Sequence, residues 1–245
     1  MVTGAASGIG KECTQTLLAD GWNVFALDVC ETSRHTPGRG GYAGKWTPLQ
    51  CDVTDSSSVA RAFASIAEET DKLNALICCA GILRVASLET MTDEAFDAVF
   101  AVNVRGPWLC AKAGMPFLER GAVADYPSRI IFVSSTAALR PKIGAGAYSA
   151  SKAALGNLTR SFAAEVASRG ILVNAVAPGA VDTPLWDTYS PTSGSGYRPA
   201  GLSPMGRMAQ PSDIVSVMMF LLSRSSHYVA GAIIPVDAAT SAARA

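Results

Sequence analysis

The sequence is poor in charge. Charged residues make up 16% of the 245-residue chain, against roughly 25% in typical soluble domains. Neither sign is in excess, because 20 Lys and Arg residues balance 20 Asp and Glu residues. This balance excludes the basic surface that a nucleic-acid backbone requires and the polybasic arm that a membrane surface requires. We expect part of so thinly charged a surface to be buried against other subunits.

Long hydrophobic runs are also missing. The apolar stretch at residues 214–222 is far shorter than the roughly 18 residues that cross a bilayer. The start of the chain lacks the basic and apolar regions of a secretion signal. We therefore expect a cytoplasmic protein without a membrane span.

Metal-site and disulfide patterns are absent from the sequence. The two histidines, His35 and His227, have no carboxylate cluster to complete a zinc site, so no metal is predicted. The six cysteines show no Cys-x-x-Cys spacing, which favours free thiols in a reducing compartment. The adjacent Cys78 and Cys79 are either a redox pair or two small residues of a buried strand. The second interpretation is favoured, because cysteine is among the most buried residue types.

Short apolar runs alternate with longer helical patterns along the chain. Strands are predicted at residues 22–28, 72–81, 129–135, 171–179 and 231–237, and helices at residues 8–20, 56–70, 93–120, 148–169 and 212–223. Four of the five strands have continuous apolar centres, as parallel strands buried on both faces do. The alternation predicts one α/β domain over residues 1–245. Its sheet is doubly wound, mostly parallel and of Rossmann type, with helices on both faces.

Two places depart from this regular pattern. Only Met1 and Val2 precede the first glycine turn, so the first strand is expected to be a short stub unless the start is truncated. The connection from Asp28 to Cys51 carries Pro37 and four glycines, which oppose a helix. We predict a loop there instead of a crossover helix.

A glycine-rich turn, Thr3–Gly10 (TGAASGIG), opens the first predicted helix. Its glycines allow the backbone to approach a pyrophosphate closely, and the helix start offers free N–H groups and a positive dipole end. The spacing is Gly-x-x-x-Gly-x-Gly, not the usual Gly-x-Gly-x-x-Gly. A dinucleotide site is therefore predicted, with a purely structural turn as the alternative.

Asp28, at the end of the second predicted strand, bears on the choice of dinucleotide. A carboxylate there accepts hydrogen bonds from an adenosine ribose and repels a 2′-phosphate. Ser7 supplies no positive charge to offset it. Both residues favour NAD over NADP, with a strand-end cap as the alternative role of Asp28. Arg34 and Arg39 in the following loop are the residues able to reverse this preference.

Tyr148 and Lys152 stand four residues apart at the start of a predicted helix, which places them on one face. A neighbouring cation lowers the pKa of a phenol from its usual value of about 10, so that it can move a proton at a substrate oxygen. Alone, such a pair is more often a surface feature. Ser135, thirteen positions before Tyr148, closes a predicted buried strand and is preferred over the rival Ser134.

With these motifs in this order, the chain resembles a classical short-chain dehydrogenase/reductase almost from end to end. The segments that carry the resemblance are TGAASGIG (3–10), CDVTD (51–55), NVRG (103–106), VSSTAALRPKIGAGAYSASK (133–152), PGAVDTP (178–184), PMGRMAQPSDIV (204–215) and GAIIPVD (231–237). There are two departures. CCAG (78–81) replaces the usual Asn-Asn-Ala-Gly, which removes the asparagine side-chain bonds, and Ala238 and Ala239 replace closing glycines.

The resemblance implies a seven-stranded sheet and a role for each matching residue. Tyr148 is implied to be the acid/base, and Lys152 to lower its pKa and bind the nicotinamide ribose. Ser135 is implied to hold the substrate oxygen, and Asn103 to position a water in a proton relay. The residues assigned to the cofactor are Gly4, Ser7, Gly8, Ile9, Gly10, Asp28, Asp52, Val53, Ala80, Gly81, Tyr148, Lys152, Pro178, Gly179, Val181 and Thr183.

Together these features favour an NAD-dependent oxidoreductase that interconverts a secondary alcohol and a ketone, with a polyol, a cyclic alcohol or a hydroxysteroid as substrate. An NADPH-dependent ketone or 3-oxoacyl reductase is the first alternative. A non-catalytic dinucleotide-sensing module is the second, because fold alone does not give function. The resemblance also implies a homo-oligomer, a tetramer or a dimer.

The substrate region is the least specified part of the sequence. The substrate loop, at about residues 184–211, is either a lid or an ordinary surface loop. The aromatic residues that a lid would close over a substrate are Trp186, Tyr189 and Tyr197. The candidate pocket-lining residues are Leu83, Arg84, Ala137 and Leu139. Of these, Arg84 is expected to point into water.

Overall fold

The computed structural model of the chain describes residues 1–30, 43–186 and 201–243. Its strands are β1 (Val2–Thr3), β2 (Val24–Asp28), β3 (Trp46–Gln50), β4 (Ala75–Cys78), β5 (Ser128–Val133), β6 (Ile171–Pro178) and β7 (Ile233–Val236). Its helices are α1 (Gly8–Ala19), α2 (Ser56–Glu69), α3 (Asp93–Phe100), α4 (Gly106–Gly121), α5 (Gly146–Val166) and α6 (Pro211–Leu222). Most of the loop predicted between β2 and β3, with Arg34 and Arg39, lies outside the described residues.

Within the described residues, seven strands form one sheet in the order β3-β2-β1-β4-β5-β6-β7, and all neighbours run parallel. The order reverses between β1 and β4, where open α/β sheets bind ligands beyond the carboxyl ends of their strands. Apolar clusters cover the sheet, one around Phe132 and Leu155 and the other around Ile131 and Ile214. The predicted doubly wound, seven-stranded architecture is confirmed.

All five predicted strands and all five predicted helical regions are present, with ends displaced by a few residues. The sequence pattern does not predict β3, because Pro48 and polar neighbours interrupt its apolar run. Proline has no N–H for a strand ladder and is confined to edge strands. β3 is such an edge, paired with β2.

The helix predicted as continuous over residues 93–120 is divided. α3 ends at Phe100, a π-helical turn spans Ala101–Arg105, and α4 follows from Gly106. A π turn inserts an extra residue into a helical turn, and such insertions are frequent at functional sites. The prediction of helix is confirmed here, and the prediction of its continuity is wrong.

Cysteines and potential metal ligands are dispersed through the fold. The six cysteines are free thiols. His, Cys, Asp and Glu side chains in residues 1–30, 43–186 and 201–243 form no group of three or more that could hold a metal ion. Within the same ranges, no helix combines the length and the apolar character needed to cross a bilayer.

One arginine, Arg129 in β5, is buried to 1% exposure. Its guanidinium donates hydrogen bonds to the carbonyls of Leu221 at 3.1 Å and Ser223 at 3.3 Å. These carbonyls lie at the end of α6, so the positive charge faces the negative end of that helix dipole. The Tyr126 ring lies 5.4 Å from the guanidinium carbon, and its hydroxyl donates to the Leu222 carbonyl at 2.7 Å. These contacts fasten α6 to the sheet.

We expect Arg129→Met to lower the free energy of unfolding by about 3 kcal/mol, because buried helix carbonyls lose their charged donor. Urea denaturation followed by circular dichroism measures this change. Arg61→Met is the matched control, since the Arg61 side chain is 72% exposed. The control should cost less than about 0.5 kcal/mol. Equal losses in the two variants would contradict the role assigned to Arg129.

Candidate active site

A cavity of about 700 Å³ opens at the carboxyl ends of β1, β4, β5 and β6. It is lined by Ser135, Tyr148 and Lys152. It is also lined by every residue that the sequence analysis assigns to the cofactor, namely Gly4, Ser7, Gly8, Ile9, Gly10, Asp28, Asp52, Val53, Ala80, Gly81, Tyr148, Lys152, Pro178, Gly179, Val181 and Thr183. Asn103, the remaining predicted catalytic residue, is fully buried behind the wall.

The glycine turn between β1 and α1 is too tight for side chains. Gly4 has a φ of 67° and Gly8 a φ of 50°, in the region that favours glycine. A Cβ on Gly10 would lie 2.1 Å from the carbonyl oxygen of Gly4. The N-cap residue Ser7 makes no side-chain bond to the first turn of α1, and that turn contains no acidic residue. The turn therefore fits a pyrophosphate, which the amides of an uncapped helix start can bind.

Two carboxylates stand in the cavity wall near the glycine turn. Asp28 accepts hydrogen bonds from the backbone N–H groups of Ala6 at 3.0 Å and Cys30 at 3.1 Å. Asp52 accepts from the backbone N–H and the hydroxyl of Thr54, at 2.8 and 2.7 Å. These bonds hold both side chains in place. The end of the cavity predicted to bind adenosine therefore carries fixed negative charge.

Tyr148 and Ser135 line the same cavity. Ser135 follows β5, and its Oγ accepts from the N–H of Ala137 at 3.1 Å. Burial raises the pKa of Tyr148, and the nearby Ser135 hydroxyl partly offsets that rise. The neighbouring Ser134 is turned elsewhere, since its Oγ donates to the carbonyl of Lys152 at 3.0 Å. The structure thus brings Ser135 to the tyrosine.

Lys152 lies one helical turn beyond Tyr148 on α5. Its ammonium donates to the Val133 carbonyl at 2.8 Å and stands 5.7 Å from the centre of the Tyr148 ring. Burial lowers the pKa of Lys152 to about 8, and the Cys79 thiol opposes this shift. The Ser135 hydroxyl is the group that opposes the rise in the pKa of Tyr148 caused by burial.

Asn103 lies in the π turn with no solvent exposure. Its Oδ1 accepts from the Ile82 N–H at 2.9 Å, and its Nδ2 donates to the Ile82 carbonyl at 3.0 Å and to Ser151 Oγ at 3.1 Å. A Cβ on Gly81 would lie 3.4 Å from Asn103 Oδ1 and 3.5 Å from Lys152 Nζ. The four predicted catalytic residues therefore meet around one part of the cavity.

The backbone that follows Cys78 is hydrogen-bonded to β1. The N–H of Cys79 donates to the Thr3 carbonyl at 3.2 Å, and that of Ala80 donates to the Thr3 hydroxyl at 3.4 Å. Burial raises the pKa of the Cys78 and Cys79 thiols well above the ordinary value. Buried, protonated thiols react poorly. This argues against a redox pair. Cys78 is a buried residue of β4, whereas Cys79 follows the strand, is partly exposed and lines the cavity.

One of the four residues predicted to line the substrate pocket does not line the cavity. Leu83, Arg84 and Ala137 line the cavity, whereas Leu139 stands outside this lining and is 53% exposed. Arg84 is exposed, as expected. Lys142 also lines the cavity, although no motif marks it in the sequence. The predicted lid residues Tyr189 and Tyr197, and the side chain of Trp186, lie outside the described residues.

Known sequences match the chain over almost its whole length. A family model described as enoyl-(acyl carrier protein) reductase matches residues 4–240. The 3-oxoacyl-[acyl-carrier-protein] reductase FabG of Thermotoga maritima is 33% identical over 241 residues, covering 97% of this chain and 95% of the relative. The short-chain reductase protein NovJ of Streptomyces niveus is 34% identical over 244 residues, covering 97% and 91%.

Solved structures share the whole fold. A 3-ketoacyl-(acyl-carrier-protein) reductase from Brucella melitensis, complexed with NADH, has a TM-score of 0.86 at 27% identity, covering 98% of this chain and 96% of that one. The aldohexose dehydrogenase of Thermoplasma acidophilum, in ligand-free form, scores 0.85 at 28% identity, covering 99% and 93%. RhlG of Pseudomonas aeruginosa, in an active-site complex with NADP, scores 0.84 at 27% identity, covering 98% and 94%.

We expect Asn103→Ala to lower the free energy of unfolding by about 2 kcal/mol, because the buried N–H and C=O of Ile82 lose their partner. Chemical denaturation measures the loss, and hydrogen exchange at the Ile82 amide should become faster. Asn74→Ala is the control, since Asn74 donates one side-chain bond to Gly121 at 3.1 Å, outside the cavity. An unchanged exchange rate at Ile82 would rule out this bracing role.

Proposed function

This chain belongs to the classical short-chain dehydrogenase/reductase family of oxidoreductases, and we propose that it interconverts a ketone and a secondary alcohol with a nicotinamide dinucleotide. One observation carries the proposal. Ser135, Tyr148 and Lys152 meet in the same cavity that the glycine turn borders. Hydride transfer to a carbonyl requires such a combination of a dinucleotide site and a proton-transfer group.

Tyr148 serves as the acid/base at the substrate oxygen. Because burial raises its pKa, the phenol is protonated near neutral pH and donates its proton as the carbonyl oxygen becomes a hydroxyl oxygen. The nicotinamide supplies the hydride. Ser135 holds the same oxygen, since its hydroxyl is near that of Tyr148 in the cavity wall. Alcohol oxidation is the reverse of this proton transfer, with the phenolate accepting the proton of the substrate hydroxyl.

Lys152 and Asn103 support the tyrosine. With a pKa of about 8, the Lys152 ammonium keeps its charge at neutral pH and stabilises the phenolate left after proton donation. Lys152 also binds the nicotinamide ribose. The Asn103 Oδ1 has accepted one hydrogen bond, from Ile82, and a second lone pair remains for a water in the proton relay.

A bound cofactor would have its adenosine end at Asp28. The glycine turn would hold the pyrophosphate, Asp52 and Val53 would border the adenine, and Ala80 and Gly81 would contact the cofactor through the backbone. Pro178, Gly179, Val181 and Thr183 would hold the nicotinamide end. The shared cavity that all of these residues line supports this assignment.

We propose NAD(H) as the cofactor, on the strength of Asp28. Its carboxylate is held in the cavity wall by two backbone N–H groups, where it accepts from ribose hydroxyls and repels a 2′-phosphate. The structural neighbours include one complex with NADH and one with NADP. The choice for this chain therefore rests on its own carboxylate.

The comparisons support a ketone substrate of a reductase better than an alcohol substrate of a dehydrogenase. The Thermotoga relative and the Brucella structure are both reductases of acyl-carrier-protein-linked 3-oxo or 3-keto acyl groups. We therefore place reduction of a 3-oxoacyl-type ketone ahead of oxidation of a polyol, a cyclic alcohol or a hydroxysteroid. Sugar or polyol oxidation is the second candidate, because the aldohexose dehydrogenase has nearly the same fold similarity.

We also propose a cytoplasmic homo-oligomer, a tetramer or a dimer. α3 and α4 leave Phe96 and Trp108 39% and 37% exposed. Phe96 stacks on Phe100 at 4.7 Å. Aromatic residues are enriched in protein interfaces, so this face is the proposed contact between copies.

We expect Tyr148→Phe to reduce turnover at least about 100-fold, because the proton donor is lost, while NADH still binds. The assay follows NADH and NADPH oxidation with a 3-oxobutanoyl thioester, and NAD and NADP reduction with secondary alcohols and sugars. Tyr228→Phe, at a residue 94% exposed, is the control and should match the parent. Cofactor binding with no turnover by any of the three proteins would favour the non-catalytic module.

We expect NADH to bind at least about 10-fold more tightly than NADPH, because the 2′-phosphate meets the Asp28 carboxylate. Fluorescence titration of the bound nicotinamide gives both dissociation constants. In Asp28→Ser the difference should shrink or reverse. Asp71→Ser, at a residue 79% exposed, should leave it unchanged. Tighter binding of NADPH by the parent protein would overturn the assignment of NAD(H).

A further inference from the structure

Five charged side chains line the cavity among the residues that the structure describes, namely Asp28, Asp52, Arg84, Lys142 and Lys152. Asp28 and Asp52 belong to the proposed adenosine site. Arg84 and Lys142 adjoin the cluster around Tyr148, because Leu83 and Val85 flank Arg84 and the Ala145 N–H donates to the Lys142 carbonyl at 3.0 Å. Neither Arg84 nor Lys142 takes part in the proton transfer proposed above.

The start of α5 holds Lys142 in place. Its N–H donates to Ser149 Oγ at 3.4 Å, in the first turn of that helix. The turn that contains Lys142 is joined to the segment that carries Arg84, because the N–H of Ala86 donates to the Gly144 carbonyl at 3.0 Å. Both cations are therefore presented by backbone that is fixed relative to the proposed acid/base on α5.

Neither cation is neutralised in the described part of the chain. The ion pairs found there join other residues. The Arg84 guanidinium donates to the Leu83 carbonyl at 3.2 Å. Lys142 is half-buried, and its burial and the nearby Arg140 both lower its pKa. Its ammonium therefore stands in a positive field, which a bound anion would relieve.

Apolar groups occupy the wall between these cations and the reacting hydroxyls. Leu83 and Ala145 are buried and form a small cluster with Val85, Tyr148 and Leu185. Leu83, Ala145 and Leu185 also line the cavity. The cavity wall therefore offers a substrate hydroxyl groups, apolar side chains and positive charge.

We infer that the substrate of the proposed reaction carries an anionic group, a carboxylate or a phosphate, bound by Lys142 with Arg84 beyond an apolar spacer. The inference rests on the proposed function, since it adds a group to the same substrate. Ammonium and guanidinium groups form charge-assisted hydrogen bonds with both anions. Lys142 is then a specificity residue that does not touch the reacting carbonyl.

The test compares ketones that differ only in the anion. One pair is 4-oxopentanoate and its ethyl ester. The other pair is the 3-oxobutanoyl thioester of 4′-phosphopantetheine and that of pantetheine, which separates a phosphate from a carboxylate as the source of charge. KM and kcat are measured with NADH for the parent, Lys142→Gln, Lys142→Arg and Lys72→Gln, the last being an exposed lysine outside the cavity.

We expect the parent to prefer the anionic member of at least one pair by about 10-fold in KM. Lys142→Gln should remove that preference with little change in kcat or in the KM of the neutral member. Lys142→Arg should restore the preference. Lys72→Gln should behave as the parent. Equal KM values within both pairs, or an equal loss for both members in Lys142→Gln, would overturn the inference.

A binding measurement separates this inference from the proposed reaction. Isothermal titration calorimetry of the NADH-loaded protein compares 4-hydroxypentanoate with its amide, and 4′-phosphopantetheine with pantetheine. Preference for an anion that Lys142→Gln abolishes supports the anion site even if no ketone is reduced. Turnover of neutral ketones with no anion preference in either assay leaves the proposed function standing and removes the anion site. No binding of either anion also removes it.

Discussion

The burial of a lysine ammonium at the carboxyl ends of the central strands is the constraint on which the site depends. Taking this charge out of water is costly, and it lowers the pKa of Lys152 to about 8. The end of β5 offsets the cost, since the Val133 carbonyl accepts from the ammonium and the Ser134 hydroxyl bonds the Lys152 carbonyl. The next residue, Ser135, reaches Tyr148. Three successive residues at the end of one buried strand, Val133 to Ser135, therefore position α5 and its two predicted functional side chains.

The π turn extends this arrangement to a second helix. The turn places Asn103 against the backbone of Ile82, beyond β4, and against Ser151 of α5. The side-chain amide thus provides hydrogen-bond partners for the N–H and the C=O of Ile82. Because Gly81 has no side chain, Asn103 Oδ1 and Lys152 Nζ both lie close to the backbone of this residue in the cavity wall. A regular helix in place of the turn would change which residue faces Ile82.

The limits of prediction from sequence follow from what each feature depends on. Buried parallel strands have continuous apolar centres, so β4, β5 and β6 could be located from the sequence, and a few motifs in order could locate the predicted catalytic groups. β3 could not, because Pro48 is compatible with a strand only at an edge, and edges are set by the assembled sheet. The π turn and the site of Lys142 depend on contacts with residues distant in sequence. A lone lysine in a loop carries no local signal of such contacts.

Charge along the cavity distinguishes one ligand orientation from its reverse. Only 16% of the residues are charged, and the chain has no net charge. The low-dielectric walls of a cleft nevertheless strengthen the electric field of the few charges that line it. In the proposed binding mode the pyrophosphate would meet the positive end of α1, and Asp28 and Asp52 would meet only the neutral ribose and base. The proposed anion of the substrate would meet Lys142 and Arg84. With the ligands reversed, the substrate anion would face two fixed carboxylates. The same charges therefore favour the one order that brings the reacting carbonyl to Tyr148.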